Sequence, residues 1–136
     1  METSSRTFKF RVWNKTYKEM FYPKGSTKNG EYEEKIYLQL DGVLMGDFKL
    51  TGLVDCSDDY VIQQFTGFYD KGGQEIYEGD IVKDTFYQEI TAKIVYDLGC
   101  FWLDSSHLGE DLERELYDSG HLNIEVIGNI FENENI

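Results

Sequence analysis

The chain has 136 residues, enough for one folded domain with a useful core. Its 40% hydrophobic share, with ten Tyr, nine Phe and two Trp, excludes the aromatic-poor composition of disorder. A net charge of −13 repels nucleic-acid phosphates except where a local basic face overrides the field. Residues 1–30 could form such a face: they hold seven basic and two acidic residues, a balance of +5, against −18 in the remaining 106. No apolar run approaches the roughly 20 residues of a membrane-crossing helix. "METSSRTFKFRVW" has no apolar signal-peptide core, and two cysteines make no disulfide framework, so the expected address is a reducing cytoplasm with no membrane partner.

In chain order, "TFKFRVWN" alternates Phe8, Phe10 and Val12 with Lys9, Arg11 and Trp13. That period of two predicts a strand with one face on a core, the other displaying Lys9 and Arg11 and leaving Trp13 partly covered. "NKTYKEM" turns it into "MFY", a hairpin over Thr7 to Tyr22. "PKGSTKNGEYEE" is a loop by its Pro, Gly, Ser and Asn content. "KIYLQL" alternates again, Asp41-Gly42 is a tight-turn signal, "VLMGDFKLTGLVD" is extended, and "CSDDY" is a loop or one helical turn.

"QQFTGFYDKGGQEIYEGDIV", Gln63 to Val82, is the most patterned stretch. Turn chemistry accounts for it without a ligand. Gly67 marks a bulge or a close backbone contact in a strand, Asp70 bonds back to the main chain, and Gly72 and Gly73 supply positive φ. "EIY" returns, Gly79 turns the chain again, Asp80 accepts turn amides, and Ile81 and Val82 enter the core. Beyond it, "EITAKIVYD", "CFWLDS" and "NIEVIGNIF" are further strands, with "DLG" turning the first into the second. Leu108, Leu112 and Leu116, spaced by four between Ser105 or Ser106 and Gly120, predict one helix.

Candidate chemistry is sparse. Asp58, Asp59, Glu75, Glu78 and Asp80 could pair as acid and base, yet all lie in turn-like sequence. A metal would have to use Cys56, Cys100, His107 and His121, and no two of these stand at a zinc-ligand spacing. Cys100, before Phe101, Trp102 and Leu103, fits a small buried thiol. Nucleophilic catalysis by Cys100 or Ser106 with a histidine has no motif behind it. "KGGQ" is not a phosphate loop. No catalytic residue, cofactor or metal is therefore expected. The one candidate binding face is basic and aromatic: Lys9, Arg11, Trp13 and Lys15.

Three blocks, "FKFRVWNKTYKEMFY", "QFTGFYDKGGQEIYEGDIVK" and "IEVIGNIFEN", spaced from Phe8 to Asn133, resemble the YopX family of phage and prophage proteins. The resemblance implies a mainly β protein of a bacteriophage or prophage acting in the bacterial host cytoplasm, and it brings no catalytic residues with it. Short strands at this spacing point to an all-β fold, a small curved antiparallel barrel or sandwich with an N-terminal β-hairpin region and at most one or two short helices. The chain is expected to be a single domain, or two β subdomains of about 1–62 and 63–136. The leading function is a non-enzymatic accessory protein that binds a host or phage protein or assembles with itself. The alternatives are nucleic-acid binding through the N-terminal basic face, or an acidic mimic of DNA aimed at a host DNA-binding protein.

Overall fold

The computed structural model describes residues 9–22, 35–38, 44–48, 52–55, 57–84, 90–105, 113–116 and 123–133. The described residues form twelve strands, every observed pairing antiparallel, and one 3₁₀ turn, Ser57–Asp59. The expected all-β class holds. The chain divides into two compact units, Phe10–Gln63 and Met1–Lys9 with Gln64–Ile136.

In the first unit, β1 (Phe10–Asn14) and β2 (Glu19–Phe21) make a hairpin in the register Val12↔Phe21, Trp13↔Met20, Asn14↔Glu19. Its other neighbour, the start of β6 (Tyr60–Tyr69), makes β1 an interior strand. Val12 and Tyr60 form a small core with Phe10, Phe21 and Ile62, and the Phe21 ring meets Tyr60 edge-on at 6.4 Å. A separate meander joins β3 (Lys35–Leu38), β4 (Leu44–Phe48) and β5 (Gly52–Asp55). Where it ends, the Asp55 carboxylate accepts the Ser57 N–H at 3.0 Å and starts the 3₁₀ turn. That bond holds the Asp55 pKa below its usual value.

The second unit is a five-stranded sheet in the order β11-β10-β9-β8-β12. Its strands are β8 (Asp80–Asp84), β9 (Ile90–Asp97), β10 (Cys100–Asp104), β11 (Glu113–Glu115) and β12 (Ile124–Asn129). The rest of β6 pairs with β7 (Glu75–Tyr77). Register explains the core. Ala92, Val82 and Val126 face one another across three strands, and Ile94 faces Leu103 beside them. Val82, Ala92, Ile94 and Leu103, with Ile76, Leu116 and Ile124, form the principal buried cluster, and the partly buried Val126 packs against it. Burying each aliphatic side chain of this size stabilises the fold by about 1.5–3 kcal/mol.

Several local expectations are met in detail. Gly67 has φ +87° where the β6–β7 register slips between Phe65 and Tyr69. The Thr66 hydroxyl bridges that slip, donating to Ile76 O at 2.7 Å and accepting from Phe68 N at 3.1 Å. Gly73 takes the positive φ expected of it, whereas Gly72, expected to share it, does not. Ile81 and Val82 are buried as expected. The chain also bulges between Val126 and Gly128. β12 ends at Asn129 as an outer strand beside β8, while Ile130 begins a turn rather than continuing the strand.

Two expectations are corrected. The predicted helix over Ser105 to Gly120 is interrupted by β11, which pairs Glu113, Arg114 and Glu115 with Asp104, Leu103 and Trp102. Leu116 donates its N–H to Phe101 O at 2.8 Å and buries its side chain in the core. The open edge of β10 has ladder groups to satisfy, and tertiary pairing overrides leucine spacing. Leu108 and Leu112 lie outside the described residues, as do Cys56, His107, His121 and the Asp41-Gly42 turn. Cys100 is half-exposed rather than buried, its thiol 3.6 Å from Leu98 O.

Candidate binding surface

The four residues of the expected basic face do not share one exposed surface. Arg11 and Trp13 are buried, at 3% and 8% exposure. Arg11 donates from Nε to Gln63 Oε1 at 2.8 Å, a buried bond that satisfies a charged donor inside the first unit. All of Arg11 to Asn14 is buried because β1 is flanked on both edges and covered on both faces. Lys15 is exposed but tied to the 3₁₀ turn: its N–H donates to Asp59 O and its Nζ to Asp58 O, both at 3.0 Å. Lys9 belongs to the second unit. Its Nζ lies 2.6 Å from Glu75 Oε1 and 5.6 Å from the Phe65 ring centroid. Glu75 also accepts from the Tyr77 hydroxyl at 2.7 Å. The Lys9 bond, with help from Tyr77, holds the Glu75 carboxyl below its ordinary pKa against the opposing effect of burial. Glu75 in turn raises that of Lys9.

The other acids of the patterned stretch, Asp70, Glu78 and Asp80, serve the main chain. Asp70 Oδ1 accepts from Gly72 and Gln74 N–H groups, each at 2.9 Å, closing the β6–β7 turn. Its Oδ2 accepts from Val126 N at 3.0 Å, and Lys71 N donates to Ile124 O at 3.0 Å. One carboxylate and one amide thus satisfy outward-facing groups of β12, as another strand would. Burial pushes the Asp70 pKa up, but the N–H groups of Val126, Gln74 and Gly72 outweigh it and hold the carboxyl below its usual value. Asp80 Oδ2 accepts from Tyr77 N, and Glu78 Oε1 from Gln64 N, each at 2.8 Å. The Gly79 turn locks in by donating to Ile94 O at 2.7 Å and accepting from Ile130 N at 2.9 Å. Asp70, Glu78 and Asp80 face amides, and Glu75 faces Lys9 and the Tyr77 hydroxyl.

The hairpin ends present a different chemistry. β9 and β10 are joined by Leu98 and Gly99 alone, at φ 51° and 79°, a type I′ geometry that favours Asn or Gly. Leu98 nonetheless occupies it, 84% exposed, beside the exposed Tyr96, whose ring lies 5.1 Å from Phe101. Asp97 Oδ1 accepts from Leu98 N, and Asp97 O accepts from Trp102 Nε1. In the β1–β2 hairpin, Asn14 Oδ1 accepts the Thr16 and Tyr17 N–H groups at 2.9 and 3.0 Å, and Lys18 sits at φ 54°. Tyr17, between Lys15 and Lys18, is 72% exposed. The "DLG" turn was legible in the sequence, but the outward setting of its leucine was not.

Among curated protein sequences, none matches the chain. Two solved structures resemble it over nearly its whole length. Protein EF1440 from Enterococcus faecalis shares 26% identity at a TM-score of 0.54, with 96% of this chain and 98% of that one covered. Protein yopX from Bacillus subtilis shares 20% identity at a TM-score of 0.58, with 93% and 95% covered, a likeness of fold. The family model described as "YopX protein" matches residues 9–136, so all twelve described strands fall within it. The chain belongs to the YopX family.

Proposed function

We propose that this protein is a non-enzymatic accessory protein of a bacteriophage or prophage, working in the host cytoplasm by binding another protein. One contrast carries this reading. Asp70, Glu78 and Asp80 of the most patterned stretch are engaged by backbone amides and Glu75 by Lys9 and Tyr77, whereas large apolar side chains, Leu98 and Tyr17 above all, stand in solvent at hairpin ends. An apolar residue on a strained backbone costs stability in the isolated chain and regains it when a partner covers it. The test is cross-linking of tagged protein in bacteria carrying the phage, with wild type beside Leu98→Asn. A stoichiometric partner captured by the wild type and lost in the variant supports the reading. A wild-type chain that cross-links to no protein, itself included, overturns it.

A second reading is favoured by the Lys15–Tyr17–Lys18 loop, an exposed aromatic between cations, as in platforms for single-stranded nucleic acid. It requires oligonucleotide binding that weakens steeply with salt and falls in Lys18→Glu. No shift in a gel at low salt ends it. Acidic mimicry of DNA toward a host DNA-binding protein is a variant of the protein-binding reading and requires competition with DNA for that partner.

A further inference from the structure

We infer that the β1–β2 and β9–β10 hairpin ends are the two halves of one contact between copies of this chain. This rests on the protein-binding reading and names the partner and the surface.

Among the described residues only two non-glycines have positive φ, Lys18 and Leu98, and they sit in these two loops. Among the described residues, each loop also carries the largest exposure of a big apolar side chain in its unit: Tyr17 in one, Leu98 in the other. Left-handed backbone at such residues is unfavourable, so both loops keep a strained geometry that holds an apolar group outward. Their charges are opposite. Lys15 and Lys18 flank Tyr17, and Asp97 precedes Leu98.

That opposition selects the pairing. A twofold contact of either loop with its own copy would set Asp97 against Asp97, or lysine against lysine. Crossing the loops instead sets the Leu98 side chain on the Tyr17 ring and Asp97 opposite Lys18. Such a contact is heterologous, so it propagates into a ring or an open chain. Two loop ends bury little area compared with a standard interface. Ring closure, where every copy makes two contacts, strengthens what one contact alone holds weakly.

The test is sedimentation of the intact chain over a range of concentrations at low and high salt. Wild type should associate, and more weakly as salt rises. Leu98→Asn puts a residue suited to the left-handed position where leucine is strained. It should keep the fold, raise the melting temperature, and weaken association about tenfold or more. Lys18→Glu and Asp97→Lys should each weaken association, and the two together in one chain should restore it. A wild type that is monomeric throughout, or a Leu98→Asn chain that associates as wild type does, overturns the inference. A monomer that still captures a host protein through Leu98 overturns this self-contact and leaves the protein-binding reading standing. A monomer that captures nothing overturns both.

Discussion

Asp70→Ala removes the acceptor on which three backbone amides converge. The side chain is 8% exposed, with Gly72 and Gln74 on one oxygen and Val126 on the other. Hydrogen bonds to a charged partner contribute about 1.5–3 kcal/mol each when water is kept away. Gly72 and Gln74 lie in an exposed turn where water replaces much of the loss, so each counts for about 0.5–1 kcal/mol. Val126 is partly buried on a strand edge and loses nearer 2 kcal/mol. The sum is about 3–4 kcal/mol, a large part of the stability of an ordinary domain. With a urea slope near 2 kcal/mol per molar, the midpoint should fall by about 1.5–2 M. The sign of the pH dependence follows from the carboxyl. Its folded pKa is depressed, so its stabilisation is complete above the unfolded value of about 3.9 and is lost as pH falls through the folded one. Wild type and Asp70→Asn, which keeps the size and removes the charge, should therefore differ most above about pH 5 and converge in acid. A midpoint unchanged in Asp70→Ala, or a wild-type-to-Asn difference that stays constant down to pH 2, would refute the reasoning.

Other substitutions probe separate parts of the fold. Ile76→Ala, at a fully buried position of the larger core, should cost about 3–4 kcal/mol in urea unfolding. A Cβ on Gly128 would come within 2.7 Å of Asn133 Cγ, and Asn133 accepts the Asn129 N–H at 3.2 Å. Gly128→Ala should thus cost about 1–2 kcal/mol, and most of that should vanish in an Asn133→Ala background. Gly73→Ala, at φ +85°, should cost about 1 kcal/mol through backbone strain alone, since open space surrounds the new methyl. Leu98→Asn should gain a similar amount, read as a higher melting temperature of the dilute chain.

What could be read from the letters was local. Gly79 before Asp80, the "DLG" turn and the strand in "EITAKIVYD" each express a requirement satisfied within a few residues, and each appears as expected. Arg11 shows the limit. Alternation assigns it to an outer face, but a strand flanked on both edges and covered on both faces has none, and its acceptor, Gln63, is 52 residues away. Glu113 to Glu115 fail for the same kind of reason. Leucines four apart suit a helix, while the edge of β10 that recruits the segment is set by a register no single segment encodes. The bond from Val126 to Asp70 joins positions 56 residues apart. Turn chemistry predicted that the carboxylate would bond to main chain, but not that it would also hold the edge of a distant strand. Nor does composition say that Leu98 would be turned outward, since leucine is ordinarily a core residue.

Asp70, Glu78 and Asp80 are structural acceptors for backbone amides. Amide hydrogen exchange of the intact chain tests this most directly, at Gln64, Tyr77 and Val126, whose N–H groups donate to Glu78, Asp80 and Asp70. These three should exchange as slowly as neighbouring ladder amides, and Val126 alone should become fast in Asp70→Asn. Rapid exchange at all three in the wild type would contradict that role, because the carboxylates would then be available for chemistry the fold does not require.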